Sequence, residues 1–157
     1  MTELPEETVD EAGGRDGAVG SAPVTVDIPV RFRDVDGMGH VNNAVFSTYL
    51  ETARIEYWHR LFPDELDLSQ VEMILARAEI DFRGQIRFPG TVRVSARCPR
   101  IGTKSFDLAY RVGPAAGGEL YAEARTVQVA YDYRTGRTVP VSDELRRRIE
   151  TLEGRSL

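Results

Sequence analysis

The 157-residue sequence contains one cysteine and two histidines, and each scarcity excludes a class of protein. A single cysteine, Cys98, forms neither an internal disulfide framework nor a zinc site built from cysteines alone. His40 and His59 stand in no H-E-x-x-H pattern and near no second ligand cluster, so we expect no metal site. No run approaches about 18 consecutive apolar residues, so we expect no membrane span.

The sequence also lacks an excess of positive charge, and its net charge of −5 comes entirely from the start of the chain. Residues 1–23 carry six acidic residues and one arginine, whereas the remaining 19 acidic and 19 basic residues cancel. A neutral globular part lacks the broad basic surface that nucleic-acid binding requires. Residues 1–22 have no aromatic residue and no periodicity, which predicts a disordered acidic tail at 1–22 and one domain at 23–157.

The domain begins with a strand that is followed by a long helix. Apolar residues alternate from Val24 to Phe32, which predicts a strand with one buried face, and Pro29 favours a place near a sheet edge. The helix is predicted at about residues 43–61, with Asn42 or Asn43 as its N-cap. Its apolar stripe has helical spacing and consists of Phe46, Tyr49, Leu50, Ala53 and Tyr57.

The remaining segments are predicted to be mostly strand. Alternating patterns occupy parts of residues 74–82, 92–98, 105–112 and 119–133. The apolar face of the last segment switches near Thr126, which indicates a bulge or a strand that is covered on both faces. A short C-terminal helix is predicted to open at Ser142 and to end near Gly154.

This order of elements predicts an α+β fold in which a five-stranded antiparallel sheet wraps around the long helix. One helix covers only one face of such a sheet. The other face and the sheet edges therefore favour a second subunit, and we expect a homodimer or a homotetramer. The N-terminus has no basic segment followed by an apolar one, so we expect a cytoplasmic protein.

Residues 34–43, Asp-Val-Asp-Gly-Met-Gly-His-Val-Asn-Asn, join the first strand to the helix. Asp34 and Asp36 lie on one side of the chain if it stays extended, and two close carboxylates would favour one base with a pKa nearer neutrality. The alternative is that both are ordinary turn and capping residues. The helix start also has free N–H groups that would polarise a carbonyl oxygen. Together these features predict an acyl-transfer site.

Residues 31–58 carry a more specific pattern, R-F-R-D-V-D-G-M-G-H-V-N-N-A-V-F-S-T-Y-L-E-T-A-R-I-E-Y-W. It closely resembles the signature of hotdog-fold acyl-CoA thioesterases of the 4-hydroxybenzoyl-CoA thioesterase type. The resemblance covers about residues 24–140. It implies the hotdog fold and hydrolysis of an acyl-CoA to a free acid and coenzyme A. It also implies that no cofactor takes part, since coenzyme A belongs to the substrate.

The resemblance implies roles for residues at the helix start. Asp36 corresponds to the acid that attacks the thioester carbonyl or activates water for that attack. The backbone N–H of Asn43 corresponds to the donor to the thioester oxygen. His40 and Asn42 would shape the site or hold a water molecule.

Two further groups of residues follow from the same resemblance. Glu51 corresponds to the glutamate of the Y-x-E-x-A-R element and is a second candidate for the catalytic acid, unless it pairs with Arg54 or a neighbouring chain. The segment Gly-Thr-Lys-Ser-Phe resembles one near the coenzyme A phosphates, which makes Arg100, Lys104 and Ser105 candidates for binding substrate. A solvated strand end is the alternative for this segment.

Other assignments remain open at this stage. Arg83 and Arg87 flank a loop with glycine and proline and are weaker candidates for contacts to coenzyme A. The substrate is alternatively a thioester of acyl carrier protein. A non-enzymatic module that binds or senses acyl-CoA is a third function on the same fold, although Asp36 argues against it. We expect a cytoplasmic, homo-oligomeric acyl-CoA thioesterase.

Overall fold

A computed structural model describes residues 22–64 and 72–157 of the chain, so the acidic tail predicted at 1–22 lies almost entirely outside the described residues. Within these ranges the chain forms six strands and two α-helices. In chain order they are β1 (Val24–Pro29), α1 (Asn43–Leu61), β2 (Met73–Phe82), β3 (Thr91–Ile101), β4 (Ser105–Pro114), β5 (Ala122–Asp132), β6 (Arg137–Thr138) and α2 (Asp143–Glu153).

The strands form one antiparallel sheet in the order β1-β3-β4-β5-β2, and the short β6 pairs with β5. Helix α1 packs against β1 and β3 and buries its apolar stripe on the sheet. The Trp58 ring, near the end of α1, meets the Phe106 ring of β4 edge to face at 6.0 Å. The predicted α+β hotdog architecture of one long helix on an antiparallel sheet is confirmed.

Helix α1 spans the predicted residues 43–61, and local chemistry explains both of its ends. The Asn42 side chain caps the start by accepting a hydrogen bond from the Ala44 N–H at 2.9 Å. At the other end the Phe62 N–H donates to the Trp58 carbonyl at 2.9 Å, and Pro63 follows. A proline at this position stops the helix because it has no N–H to donate.

The first strand is shorter than predicted. Strand β1 ends at Pro29, on the edge of the sheet where proline was expected, and residues 32–34 form a 3-10 turn instead. Phe32 is consequently 79% exposed, although the alternation placed it on the buried face. The cause is Asp34, whose carboxylate accepts a hydrogen bond from the Arg31 N–H at 2.9 Å and so closes a turn in place of a sheet ladder.

The buried face of β5 does not switch near Thr126, so the bulge that was one of the two predictions for this segment is wrong. The register between β4 and β5 runs without a shift, and the bulge lies in β2, between Leu75 and Arg77. Thr126 and Gln128 are buried, and the Gln128 Nε2 donates to the Thr126 Oγ1 at 3.0 Å. Two polar residues that satisfy each other therefore occupy positions that an apolar pattern would fill.

The C-terminal helix begins and ends as predicted. The Ser142 hydroxyl accepts a hydrogen bond from the Leu145 N–H at 3.2 Å, and Gly154 ends α2 with a positive φ of 68°. Glu153 fastens this end of the helix to the domain, since its Oε1 accepts a hydrogen bond from the Tyr57 hydroxyl at 2.7 Å. Among the described residues, no helix has both the length and the apolar character needed to cross a membrane.

Candidate active site

A cavity of about 350 Å³ opens at the N-terminal end of α1. It lies where three segments meet: the loop after β1, the first turn of α1 and the loop after β2. Its walls are formed by Asp36, Met38, His40, Val41, Asn43, Phe46, Phe82, Arg83, Gly84, Gln85 and Ile86. The cavity therefore brings together Asp36, His40 and Asn43, three of the residues that the sequence pattern singled out.

Backbone hydrogen bonds hold the two loops of the cavity together. The Val41 N–H donates to the Ile86 carbonyl at 2.9 Å, which joins the loop before α1 to the loop after β2. The Arg83 and Gly84 N–H groups both donate to the Tyr121 carbonyl, at 2.8 and 3.0 Å. Since these bonds use main-chain atoms, the sheet itself positions this wall of the cavity.

Asp36 sits in a tight turn that leaves part of its carboxylate open. Its N–H donates to the His40 carbonyl at 2.9 Å, and its Oδ1 accepts from the Met38 N–H at 2.9 Å. Gly39 completes the turn with a φ of 81°, a conformation that favours glycine. Among the described residues no group donates to Oδ2 of Asp36. One carboxylate oxygen therefore stays available to a water molecule or to a substrate carbonyl carbon.

The start of α1 provides a hydrogen-bond donor at the same cavity. The Asn42 side chain accepts a hydrogen bond from the Ala44 N–H, and the Asn42 carbonyl accepts one from the Val45 N–H, both at 2.9 Å. Within the described residues, the Asn43 N–H donates to no acceptor. Asn43 also lines the cavity, at the end of the helix where the macrodipole is positive. This N–H is suited to an oxygen that gains negative charge during acyl transfer.

Asp34 has a different environment from Asp36 and does not line the cavity. It is 2% exposed and accepts hydrogen bonds from Arg31 Nε at 3.0 Å and from the Tyr49 hydroxyl at 3.0 Å. Burial raises its pKa, but the hydrogen bonds from Arg31 and Tyr49 outweigh burial and hold the pKa below its usual value. Asp34 is thus a satisfied, ionised carboxylate that lies outside the cavity.

The remaining candidates near the helix have other positions. His40 lines the cavity and is half-buried, whereas Asn42 is exposed, caps α1 and is absent from the cavity wall. Glu51 lies about 12 Å further along the helix axis than Asn43 and does not line the cavity. Its Oε1 lies 3.5 Å from Arg54 Nη2, the pairing that was one of the alternatives for this residue.

Arg100, Lys104 and Ser105 lie at the opposite end of the sheet. Ser105 is seven residues from Val112 on β4, and Val112 is joined through Ala122 to Phe82 in the cavity wall. That separation corresponds to about 23 Å along the strand. Arg100 Nε donates to Asp107 at 3.2 Å and Lys104 Nζ donates to Thr138 at 3.3 Å. One copy of the chain therefore does not bring these residues to the cavity.

Sequence reasoning missed most of the wall that follows β2. Phe82, Gln85 and Ile86 carry no motif, and about 40 residues separate them from the helix start. Arg83, a weaker candidate for a contact to coenzyme A, does line the cavity. Its Nη2 also lies 3.3 Å from Oε2 of Glu123. No local signal identifies these residues, because strand pairing alone decides which loop meets α1.

The donor sets that metals require consist of several histidine, cysteine or carboxylate side chains around one point. Among residues 22–64 and 72–157, no group of three or more histidine, cysteine, aspartate or glutamate side chains is arranged to hold a metal ion. The groups on the cavity wall that can take part in acyl transfer are the Asp36 carboxylate, the Asn43 N–H and the His40 side chain.

Residues 30–149 match the model of the Thioesterase-like superfamily. A thioesterase of Thermus thermophilus, solved in complex with coenzyme A and Zn, is 39% identical, with a TM-score of 0.79 over 88% of this chain and 99% of that chain. A predicted thioesterase of Bacillus stearothermophilus is 28% identical, with a TM-score of 0.76 over 85% of this chain and 98% of that one.

A curated relative has a named substrate class. The long-chain acyl-CoA thioesterase FadM of Escherichia coli is 23% identical over 80% of this chain and 96% of its own length. The fold and the cavity define the class of this protein: a hotdog-fold protein with an acid and a free helix N–H in one cavity. The chain belongs to the Thioesterase-like superfamily, and thioester hydrolysis is the reaction class that this membership supports.

Proposed function

We propose that the protein is an acyl-CoA thioesterase that hydrolyses its substrate to a free acid and coenzyme A without a cofactor. One observation carries the proposal: the open oxygen of Asp36 and the free N–H of Asn43 line the same cavity. The Thermus relative that binds coenzyme A and the Escherichia coli acyl-CoA thioesterase support coenzyme A as the carrier. The pattern at residues 31–58 supports the 4-hydroxybenzoyl-CoA thioesterase type as the subclass.

In the proposed reaction the thioester oxygen accepts a hydrogen bond from the Asn43 N–H. Asp36 then acts in one of two ways. As a nucleophile it attacks the carbonyl carbon, expels the coenzyme A thiolate and forms a mixed anhydride that water hydrolyses. As a general base it takes a proton from a water molecule, and that water attacks the same carbon. The C–S bond then breaks, and the proton passes to the departing coenzyme A thiolate. In both routes the positive end of α1 stabilises the developing oxyanion, and His40 holds water at the cavity wall.

The proposal extends to a homodimer, or a homotetramer built from two such dimers, in the cytoplasm. Strand β2 is a free edge of the sheet and exposes Leu75 and Phe82, so it favours pairing with another strand. If two β2 edges pair antiparallel, the Met73 end of one copy meets the Phe82 end of the other. Met73 pairs with Ala130, whose N–H donates to the Lys104 carbonyl at 2.8 Å.

Such a dimer would bring the Lys104 hairpin of one copy toward the cavity of the other. Within one chain, Asp36 lines the cavity but Arg100, Lys104 and Ser105 lie at the opposite end of the sheet. In the proposed dimer these three residues would come from the second copy. Cationic side chains there would bind the phosphates of coenzyme A. The proposed substrate thus spans two subunits.

The first test is release of coenzyme A thiol from short, long and aromatic acyl-CoAs by the wild type and Asp36→Asn. We expect turnover by the wild type and a loss of about 10²–10⁴-fold in the variant. Asp132→Asn is the matched control, since Asp132 Oδ1 accepts an N–H from two residues ahead at 2.8 Å, as Asp36 Oδ1 does at 2.9 Å. Circular dichroism and gel filtration check that folding and oligomer size are unchanged.

Each alternative predicts a different result in this test. Retained turnover in Asp36→Asn, with a loss in Glu51→Gln, would transfer the role of the acid to Glu51. Tight acyl-CoA binding without hydrolysis would favour the sensor. Saturation by acyl carrier protein thioesters at much lower concentration than by acyl-CoA would favour the carrier-protein substrate.

Mixed oligomers test the shared site. Asp36→Asn and Lys104→Ala copies, unfolded together and refolded, would form heterodimers with one intact site. We expect about one quarter of the wild-type kcat/KM from a random mixture of the two copies. Activity no greater than the mean of the two separate variants would contradict the arrangement across β2.

A further inference from the structure

The cavity wall is divided by polarity. Asp36, His40, Asn43, Arg83 and Gln85 form its polar part. Its apolar part is lined by Val41, Phe46, Phe82 and Ile86, together with Met38. An acyl-CoA bound with its thioester at Asp36 would place its acyl group against the apolar part, because apolar surface leaves water there. The apolar part thus selects the acyl group.

Two aromatic rings of this apolar part contact each other. The Phe46 and Phe82 rings meet edge to face, with centroids 5.0 Å apart and planes at 88°. Phe46 projects from the first turn of α1, and Phe82 is the last residue of β2. The contact therefore bridges the helix and the sheet edge on the wall of the cavity.

Phe46 is held firmly in this position. Its side chain is 2% exposed, and its ring lies 6.4 Å from the ring of Tyr49. Tyr49 is in turn fixed by its hydrogen bond to the buried Asp34 at 3.0 Å. Phe82 is less constrained, since it is 46% exposed. Of the two rings, Phe82 is the one whose removal opens the cavity without disturbing the core.

The small volume of the cavity also favours a small acyl group. Its volume of about 350 Å³ must hold the acyl group and the sulfur end of the coenzyme A arm. Ligand cavities span roughly 300 to 1,000 Å³, so this one is at the small end. A long chain would require displacement of Phe46 from the core or of Phe82 from the Phe46 ring.

We infer that Phe46 and Phe82 form the end wall of the acyl pocket and restrict the substrate to thioesters with a short or single-ring acyl group. This inference rests on the proposed thioesterase activity and specifies its substrate class. It differs from the long-chain substrate named for the Escherichia coli relative. A single aromatic ring fits the wall well, because ring edges and faces pair favourably at such centroid distances.

The experiment measures kcat/KM of the full chain for butyryl-, hexanoyl-, benzoyl-, dodecanoyl- and palmitoyl-CoA. For the wild type we expect hexanoyl- or benzoyl-CoA to exceed palmitoyl-CoA by at least about tenfold. In Phe82→Ala we expect the ratio of dodecanoyl to benzoyl turnover to rise by about tenfold or more. Phe82→Leu, which keeps an apolar side chain of smaller width, should give an intermediate ratio.

Phe88→Ala is the matched control. Phe88 is also 46% exposed and also makes an aromatic contact, with Phe32 at a centroid distance of 5.8 Å, but it does not line the cavity. Its ratio of dodecanoyl to benzoyl turnover should equal that of the wild type. Because Phe82 also lies on the β2 edge that we propose to pair, gel filtration of all variants separates an effect on the oligomer from an effect on the acyl pocket.

Two outcomes would overturn the inference while leaving the thioesterase intact. One is palmitoyl-CoA hydrolysis by the wild type as fast as benzoyl-CoA hydrolysis. The other is an unchanged chain-length ratio in both Phe82 variants. Absence of hydrolysis for every acyl-CoA would instead refute the proposed activity, and the acyl limit with it.

Discussion

The Tyr49 hydroxyl donates a hydrogen bond to Oδ2 of Asp34 at 3.0 Å, and this bond joins α1 to the loop that carries Asp36. Asp34 is buried, and its carbonyl accepts the Asn42 N–H at 2.8 Å. A single residue thereby connects the core of the helix, its N-cap and the turn that carries Asp36. Asp34 thus positions this turn, and Asp36 is the residue that we propose to react.

Tyr49→Phe removes this donor and leaves Asp34 with Arg31 alone. We expect a loss of about 1–3 kcal/mol in the free energy of unfolding, because a charged, buried acceptor loses a partner. Urea denaturation measures the loss. Tyr133→Phe is the control, since the Tyr133 hydroxyl donates to the Met73 carbonyl at an exposed site. If Tyr49→Phe and Tyr133→Phe lower the free energy of unfolding equally, the bond to Asp34 has no special contribution to stability.

The stability of the protein should depend on pH through Asp34. Its pKa in the folded protein lies below the usual 3.8, so its stabilising contribution is complete above that pH. The contribution decreases as the pH falls below 3.8 and is lost once the pH has fallen through the folded pKa. The difference in free energy of unfolding between wild type and Asp34→Asn should therefore be larger at about pH 7 than at about pH 3. A difference that stays constant between these pH values would count against this coupling.

The two helix caps allow stability and activity to be separated. Asn42→Ala and Ser142→Ala should each cost about 1 kcal/mol, because each removes a side-chain acceptor from a helix start. Only Asn42→Ala should also lower kcat, since Asn42 shapes the turn that presents the Asn43 N–H. Urea denaturation and thiol release on both variants test this. The same fall in kcat for Ser142→Ala would mean that activity follows stability alone.

Cys98 should be inert in the folded protein. It is fully buried, its thiol donates to the Arg100 carbonyl at 3.4 Å, and burial raises its pKa to about 12. At about pH 8 we expect no reaction with a disulfide reagent such as 5,5′-dithiobis(2-nitrobenzoate) before unfolding, and one equivalent in guanidinium chloride. Stoichiometric reaction in the native state would contradict this burial. An inert Cys98 also means that thiol assays report coenzyme A alone.

Local sequence patterns predicted the elements whose structure depends on nearby residues. The stripe from Phe46 to Tyr57, the cap at Asn42 and Pro63 together located α1, because helix periodicity and capping act over a few residues. The same local logic located α2 between Ser142 and Gly154. Asp36 and Asn43 are close in sequence, so their meeting at one cavity needed only the turn between them.

Hydropathy patterns gave wrong predictions where a side-chain hydrogen bond replaced the expected packing. The alternation through Phe32 predicted a longer β1, but Asp34 captures the Arg31 N–H and turns the chain. The change of apolar face near Thr126 predicted either a bulge in β5 or a strand covered on both faces. The β5 register has no shift against β4, and Thr126 and Gln128 bury their polar groups by bonding each other. In both cases a side-chain hydrogen bond, invisible to hydropathy, decided the structure.

The strand–helix–strand order, the ends of the two helices and the acid and amide at the start of α1 depend on neighbours along the chain, so local patterns predicted them. No local pattern predicted that Phe82 and Gln85 complete the cavity or that Arg100 and Lys104 lie far from it. Strand order and register cause this, because pairing across the sheet joins residues that no local pattern connects.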